Sequence, residues 1–339
     1  MRLIKTEDAV GHVLCHDMTQ IIKDQYKDAR FRKGHVVTEE DIPVLLSMGK
    51  EHLYVWEMTS GMVHENDAAE RLLALCGQEN MIRSGVKEGK IELKAACDGV
   101  FLVDSARLVA VNSQDEVMIA TRKGGMAVRE GDKLAGMRVI PLIIEEEKLR
   151  KAEQAAGDKP LLSLKPYVRK TACIVATGGE VKKGLIKDTF TPVVIDKLKT
   201  YGIETLEVVY SGDGVENVRD AVLTMREKKP DMILCTGGMS VDPDDNTPGG
   251  IKAAGANIIA YGAPVLPGAM FLLGYFDDGM PVMGLPGCVM YAGATVFDLV
   301  LPKVAADVSV TRADIAAMGE GGLCLGCKPC RYPVCPFGK

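Results

Sequence analysis

Basic charge is what this sequence most plainly lacks. Its 339 residues hold 41 Lys and Arg against 46 Asp and Glu, a formal net charge of −5. A protein that coats nucleic acid is usually basic, so no nucleic-acid partner is expected. Long apolar runs are missing as well. The opening MRLIKTEDAVGHVL carries charges where a secretory signal needs an unbroken apolar stretch, so a cytoplasmic location is expected. Residues 253–276 hold no charge, but four glycines and two prolines cut them into strand-length pieces, and no membrane segment is expected. Histidine is scarce: all five lie at or before His64, with no metal-ligand spacing, and read as surface or packing residues.

What is present is core material and glycine. Hydrophobic residues make up 47% of the chain, which excludes global disorder, and the 17 methionines read mainly as core filler. The 36 glycines exceed the average share and imply many tight turns. The length suits two or three domains.

The pattern along the chain changes character three times. Residues 1–60 read as a small α+β segment, with a helix at Asp41–Met48 stopped by Gly49 and a strand at His52–Trp56. In the block 61–150, an amphipathic helix over Glu65–Cys76 buries Leu72, Leu73 and Leu75, and short β-like runs from Ile91 to Ile144 predict a compact β domain, in form a small barrel. A charged helix at Glu145–Ala156 and the stretch Pro160–Pro166 read as a linker. Across 171–305 strands and helices alternate. Strands are expected at Ala172–Ala176, Thr205–Tyr210, Asp231–Cys235, Ile258–Tyr261, Ala269–Phe276 and Met280–Gly284. Helices are expected at Pro192–Tyr201, Val215–Lys229, Pro248–Ala254 and Val289–Leu301. Such alternation predicts an α/β fold, a mostly parallel sheet flanked by helices, with a hairpin at Asp277-Asp278-Gly279.

Ligands of open α/β sheets sit beyond the carboxyl ends of the strands. Three expected loops there are rich in glycine and acid: Thr177-Gly178-Gly179-Glu180 with Asp188; Gly212-Asp213-Gly214; and Thr236-Gly237-Gly238-Met239-Ser240 with Asp242, Asp244, Asp245 and Thr247; a fourth, Pro286-Gly287, precedes the last helix. Glycines let backbone approach a ligand, and helix starts favour anions. Thr191-Pro192 and Thr247-Pro248 fit a capping residue followed by proline in the first turn. Carboxylates beside a phosphate make sense if they hold Mg²⁺, which takes both kinds of oxygen together. Each loop alone also fits a plain turn, and Asp213 also fits a cap on the helix from Val215.

These residues resemble the signature of the molybdopterin-binding domain family. Gly284-Leu285-Pro286-Gly287 is similar to that of its molybdenumtransferase branch, the type of the gephyrin E domain. The segment Glu7–Thr38 also looks like the opening of that branch. The resemblance implies binding of molybdopterin or its adenylylated form, with Mg²⁺-dependent insertion of molybdate. It implies that Asp245 is catalytic or positions the metal, with Asp188 as its partner across the cleft. Thr236, Gly237, Gly238 and Ser240 would cradle the pterin phosphate, with Asp242 and Thr247 beside them. Thr177, Gly178, Gly179 and Glu180, with Asp213, would close the other side, and Pro286-Gly287 would flank the pocket. Two departures stand out: Ala263–Met270 has no lysine where the branch carries Lys-Pro-Gly-Lys-Pro, and Cys288 replaces the asparagine of Gly-Leu-Pro-Gly-Asn. The alternatives are a non-catalytic molybdopterin carrier or sensor, serving a molybdoenzyme partner, and a nucleotide pyrophosphatase of related fold. Family members often form homodimers, and one is expected.

Four of the ten cysteines fall in the segment 320–339, as Cys324, Cys327, Cys330 and Cys335. The spacing resembles the bacterial ferredoxin run, with the last interval one residue longer. With no histidine nearby, the expected site is four thiolates around an iron–sulfur cluster or Zn²⁺; an exposed thiol tail is the plain alternative.

Overall fold

The computed structural model describes the chain apart from residues 1, 23–25, 56–60, 241, 243 and 244, and apart from the side chains of Tyr26 and Glu180. It contains two compact units, one of residues 1–96, 103–124 and 131–163, the other of 97–102, 125–130 and 164–339. No helix among the described residues is long and apolar enough to cross a membrane.

In the first unit, Arg2–Lys5 pairs antiparallel with His52–Val55, and Met18–Ile22 with Tyr26–Phe31. The helix Asp41–Ser47 contributes Leu45 to a core shared with Leu14, Leu53 and Val55. The expected strand end at Trp56 lies outside the described residues. The helix Glu65–Cys76 spans the expected residues and buries Leu72 and Leu73, with Leu75 half-buried. Beyond it, Met81–Arg83, Ile91–Ala95, Lys133–Val139 and Val117–Thr121 form, in that order, an antiparallel sheet. This sheet ends at its two outer strands and is open, where a small barrel was expected.

The block is also interrupted by a helix, Ser105–Asn112, which the β-like pattern does not reveal. Asp104 sets its start by accepting the Arg107 amide, and this cap outweighs the strand preference of the valines that follow. The charged helix Glu146–Ala156 follows as expected. Leu162–Pro166, read as part of a linker, is instead a strand in a three-stranded sheet with Gly99–Val103 and Met126–Val128.

The second unit is α/β. Its main sheet comprises β1 (Thr171–Thr177), β2 (Glu204–Ser211), β3 (Met232–Thr236), β4 (Asn257–Tyr261), β5 (Leu272–Tyr275) and β6 (Pro281–Leu285), in the order β2-β1-β3-β6-β5-β4. Strands β2, β1, β3 and β6 run parallel; β5 is antiparallel to both its neighbours. The turn at Asp277–Gly279 joins β5 to β6 as a hairpin. Every residue of β3 is buried, and its continuous apolar run is what a parallel strand covered on both faces requires.

The helices are α1 (Gly179–Lys182), α2 (Phe190–Lys199), α3 (Val215–Glu227), α4 (Thr247–Ala253), α5 (Val296–Ala305) and α6 (Arg312–Ala317). Alternate residues along the strands feed two cores. Ile174, Leu234 and Met283 pack with Val194 and Leu198 of α2 and Phe297 and Val300 of α5. Val175, Ile233 and Val282 pack with Val218 and Val222 of α3 and Ile251 of α4. The last expected helix is broken in two. A single 3₁₀ turn covers Gly287–Met290, and α5 begins only at Val296, where Thr295 and Asp298 form a reciprocal capping box.

The cysteine-rich segment is docked on this unit. Leu323 bridges Leu266 in a parallel pair, and the Leu266 and Cys324 amides donate to Gly322 and Leu266 carbonyls, each at 2.8 Å. Phe337 is 2% exposed within the core, and the Tyr332 hydroxyl donates to the Asp298 carbonyl at 3.0 Å.

Candidate functional site

The parallel strands β1, β2, β3 and β6 deliver the four expected loops to one edge of the sheet. The loops after β1 and β3 are interlocked. The Thr177 hydroxyl donates to the Thr236 carbonyl at 2.8 Å and lies 3.1 Å from the Thr247 hydroxyl, which donates to the Gly237 carbonyl at 2.9 Å. The Thr247 amide donates to the Gly238 carbonyl at 3.1 Å. Gly237 and Gly238 have φ of +80° and +57°. A Cβ on Gly237 would stand 2.3 Å from the Thr177 carbonyl oxygen, and one on Gly238 2.6 Å from the Thr247 hydroxyl. Backbone conformation and space therefore both demand glycine at these two positions.

Thr247 is the first residue of α4, and its side chain serves this network rather than capping its own helix. Thr191 is likewise inside the first turn of α2. The start of that helix is held by Asp188, whose Oδ1 accepts the Phe190 and Thr191 amides at 2.9 and 3.0 Å. The cap positions are Thr189 and Asn246, so the two Thr-Pro pairs lie two residues and one residue further into their helices than a capping reading places them. Asp213 does not cap α3 either: the cap position is Gly214, and the Asp213 carboxylate accepts the Gly179 amide across the loops at 3.0 Å.

Asp188 is half-buried, and its second oxygen, Oδ2, makes no hydrogen bond among the described residues; nor does the buried Thr191 hydroxyl. Burial raises the Asp188 pKa, but the Thr191 and Phe190 amides and the nearby Thr191 and Tyr210 hydroxyls outweigh it, holding the carboxyl below the ordinary range. The Thr191 hydroxyl acts here by proximity, since its geometry is not that of a hydrogen bond. Tyr210, at the end of β2, is pushed up by burial and by the Asp188 charge. Asp188 is next to Thr189, whose hydroxyl lies 3.1 Å from the Met290 sulfur and so joins the first loop to the turn after β6.

Asp245 stands at another part of the edge. It is half-buried, its amide donates to the Asp242 carbonyl at 2.9 Å, and its charge, after burial, helps raise the pKa of Tyr261 at the end of β4. The Tyr261 hydroxyl donates to the Met239 carbonyl at 3.1 Å. Ser240, Asp213 and Asp242 are exposed, Gly178 and Gly179 half-buried, Pro286 buried and Gly287 exposed. Asp244 and the Glu180 side chain lie outside the described residues. Tyr210, Tyr261, Met290 and Lys182 join the neighbourhood without having been expected. The Lys182 ammonium lies 3.8 Å from where a Cβ on Gly212 would stand. Lys182 and Met290 follow directly from the first and fourth loops, while Tyr210 and Tyr261 reach the edge through strand order.

Among the described residues, no three His, Cys, Asp or Glu side chains converge as a metal site. For Mg²⁺ this fits a shared arrangement, since that ion commonly takes one or two carboxylates and completes its shell with phosphate and water. The unpaired Oδ2 of Asp188 is the protein atom best suited to it. The four tail thiols do not fit a closed cluster as they stand: Cys327 and Cys330 are exposed and Cys324 and Cys335 half-buried against the core. A cleft of about 600 Å³ lined by Ile195, Lys199, Leu206 and Val208 runs along the edge strand β2 and includes none of the expected site residues.

With this geometry in view, the comparison with known families is direct. Residues 173–306 match the family model described as a probable molybdopterin binding domain. The matched span covers five strands of the sheet whole, β1 from Cys173 onward, and all four loops. Residues 3–57 match a second model, described as a domain of unknown function (DUF8806). The likeness of that opening to the transferase branch therefore rests on its motifs alone.

Among curated proteins, a CinA-like protein of Mycobacterium tuberculosis is 33% identical over 76 residues, 22% of this chain. The match spans 18% of that relative's length. The solved structure of CinA, "with unknown function", from Thermoplasma acidophilum covers 40% of this chain and 98% of its own, at 18% identity and a TM-score of 0.35. The molybdopterin biosynthesis enzyme MoaB from Thermus thermophilus covers 42% and 97%, at 17% identity and a TM-score of 0.36.

Proposed function

We propose that the α/β unit binds molybdopterin, or its adenylylated form, at the carboxyl edge of its sheet, and that it acts in molybdenum cofactor biosynthesis. The observation that carries this reading is the interlock of the Thr177 and Thr236–Gly238 loops within the span that matches the molybdopterin-binding model. The two glycines let the loops close on one another, and a tight glycine turn beyond a parallel strand is where an α/β sheet receives a phosphate. On this reading Thr236, Gly237, Gly238 and Ser240 hold the phosphate, with Asp242 and Thr247 beside them. Thr177, Gly178, Gly179, Glu180 and Asp213 form the facing wall, and Pro286-Gly287 the flank.

The reaction proposed is cleavage of adenylylated molybdopterin with molybdate insertion, molybdate being substrate. Mg²⁺ would supply charge neutralisation at the phosphate, held by Asp188 and Asp245. The protein's own part is to fix those carboxylates: Asp188 by two helix amides, Asp245 by the loop that leads into α4. Incubation with adenylylated molybdopterin, Mg²⁺ and molybdate, with AMP measured, tests this. Molybdate-dependent AMP release is expected; tight pterin binding without release would replace the transferase by a carrier or sensor serving a molybdoenzyme.

The lysine-free stretch Ala263–Met270 is the observation that favours that second reading. The same assay run with dinucleotides tests a pyrophosphatase. The proposal extends to an iron–sulfur cluster or Zn²⁺ on Cys324, Cys327, Cys330 and Cys335 on thiol density alone, and it requires the segment to rearrange, because no three ligands converge among the described residues. Metal analysis of anaerobically purified protein tests it, and protein free of iron and zinc would overturn it. A homodimer in the cytoplasm completes the reading, checked by light scattering.

A further inference from the structure

The docked cysteine segment and the fourth loop of the candidate site share one stretch of backbone. From the end of β6 the chain runs through the turn Gly287–Met290 to Gly293 and then into α5. The Tyr291 and Ala292 amides donate back to the Cys288 carbonyl at 3.2 and 2.8 Å, so this stretch is a compact loop. Its near end touches the first loop through Thr189 and Met290. Its far end is covered by the tail. A Cβ on Gly293 would stand 2.7 Å from the Cys330 Cβ and 2.8 Å from its sulfur.

Beside that contact, the Lys197 ammonium bonds the Gly293 carbonyl at 3.4 Å and the Asp298 carboxylate at 2.5 Å, and the Tyr332 hydroxyl takes the Asp298 carbonyl. Lys197 belongs to α2, the helix whose start holds Asp188. Phe337 and Tyr332 anchor the tail in the same core that α2 and α5 share, with their rings edge to face at 6.1 Å. One end of the loop thus reports to the site and the other to the tail.

We propose that Cys330 and Tyr332 are positioning residues for the candidate site: the seated tail fixes the Gly287–Thr295 loop, and ligand affinity at the strand ends depends on that seating. The inference rests on the pterin-binding reading for its effect on affinity, but not for its effect on the loop. A modification of the Cys330 thiol is expected to act on the loop through this contact.

The test uses the full chain and a steric pair. Gly293 has no positive φ, so Gly293→Ala adds a methyl group without backbone strain and collides only with Cys330. Cys330→Gly removes both colliding atoms. Amide hydrogen exchange over 287–295 is expected to accelerate about tenfold in Gly293→Ala and to return within about threefold of the parent in the double variant. Molybdopterin affinity is expected to follow the same pattern, while the melting temperature changes little.

Tyr332→Phe, which removes one hydroxyl from a half-buried ring, gives a milder variant if Gly293→Ala folds poorly; it too is expected to raise exchange in 287–295 and not in 236–247. Unchanged exchange in both variants, or a double variant no better than Gly293→Ala, would overturn the proposal. If the parent binds no pterin, the exchange pattern still decides whether the tail positions the loop.

Discussion

The Asp213 carboxylate accepts the Gly179 amide at 3.0 Å, and a Cβ on Gly179 would stand 2.7 Å from that same oxygen. The bond ties the loop after β2 to the loop after β1, and a larger residue at 179 would push the Asp213 carboxylate aside. Asp213→Ala should lower stability by about 1 kcal/mol, read by urea denaturation, and should weaken pterin binding more than Asp213→Asn, which keeps an acceptor.

Thr247 is buried and bonds two loops at once. Replacing its hydroxyl by a methyl group in Thr247→Val strands the Gly237 carbonyl and should cost about 1–3 kcal/mol in chemical denaturation. Thr247→Ser should retain most of the stability. Equal losses in the two variants would remove the hydroxyl network from the account.

The depressed pKa of Asp188 has a definite sign in stability. Between its folded-state pKa and the ordinary value of about 3.9, the unfolded chain binds more protons, so stability rises with pH in that window. The contribution is complete above about pH 4 and is lost as pH falls through the folded-state pKa. Asp188→Asn should therefore show a stability difference from the parent that shrinks below about pH 4. A difference independent of pH down to acid unfolding would contradict the assignment.

Asp245→Asn is expected to abolish AMP release while leaving the melting curve and far-ultraviolet circular dichroism as in the parent. Full turnover in this variant would take Asp245 out of the mechanism.

Lys182 offers a positive charge near the loops in a chain that lacks lysines at Ala263–Met270. Lys182→Ala should weaken binding of an anionic pterin about threefold to tenfold at low salt, with the difference closing as ionic strength rises.

The α/β unit was legible in sequence because its signals are strong and local. A β3 that is apolar up to Thr236, Gly-Gly turns at strand ends and the Asp277–Gly279 turn each permit few structures. The helix at Ser105–Asn112 was not legible, since its valines favour strand and only the Asp104 cap reverses the balance. The break between Gly287–Met290 and Val296 was hidden in the same way, because Thr295 and Asp298 start a helix in the middle of an apolar run. At the site, the loops were visible and their partners were not. Tyr210 and Tyr261 reach the edge through strand order, and the cross-loop bonds of Asp213 and Thr247 join residues that local capping rules assign to their own helices.

The reversal of β5 has a practical consequence. Because β5 runs against β6, the turn Asp277-Asp278-Gly279 is carried to the end of the sheet opposite the glycine loops. Asp278 there pairs with Arg226 at 2.9 Å, while Asp277 is exposed. Position 277 is thus a handle: a fluorophore or surface tether attached there would immobilise or illuminate the protein from behind and leave the glycine-loop edge open to solution.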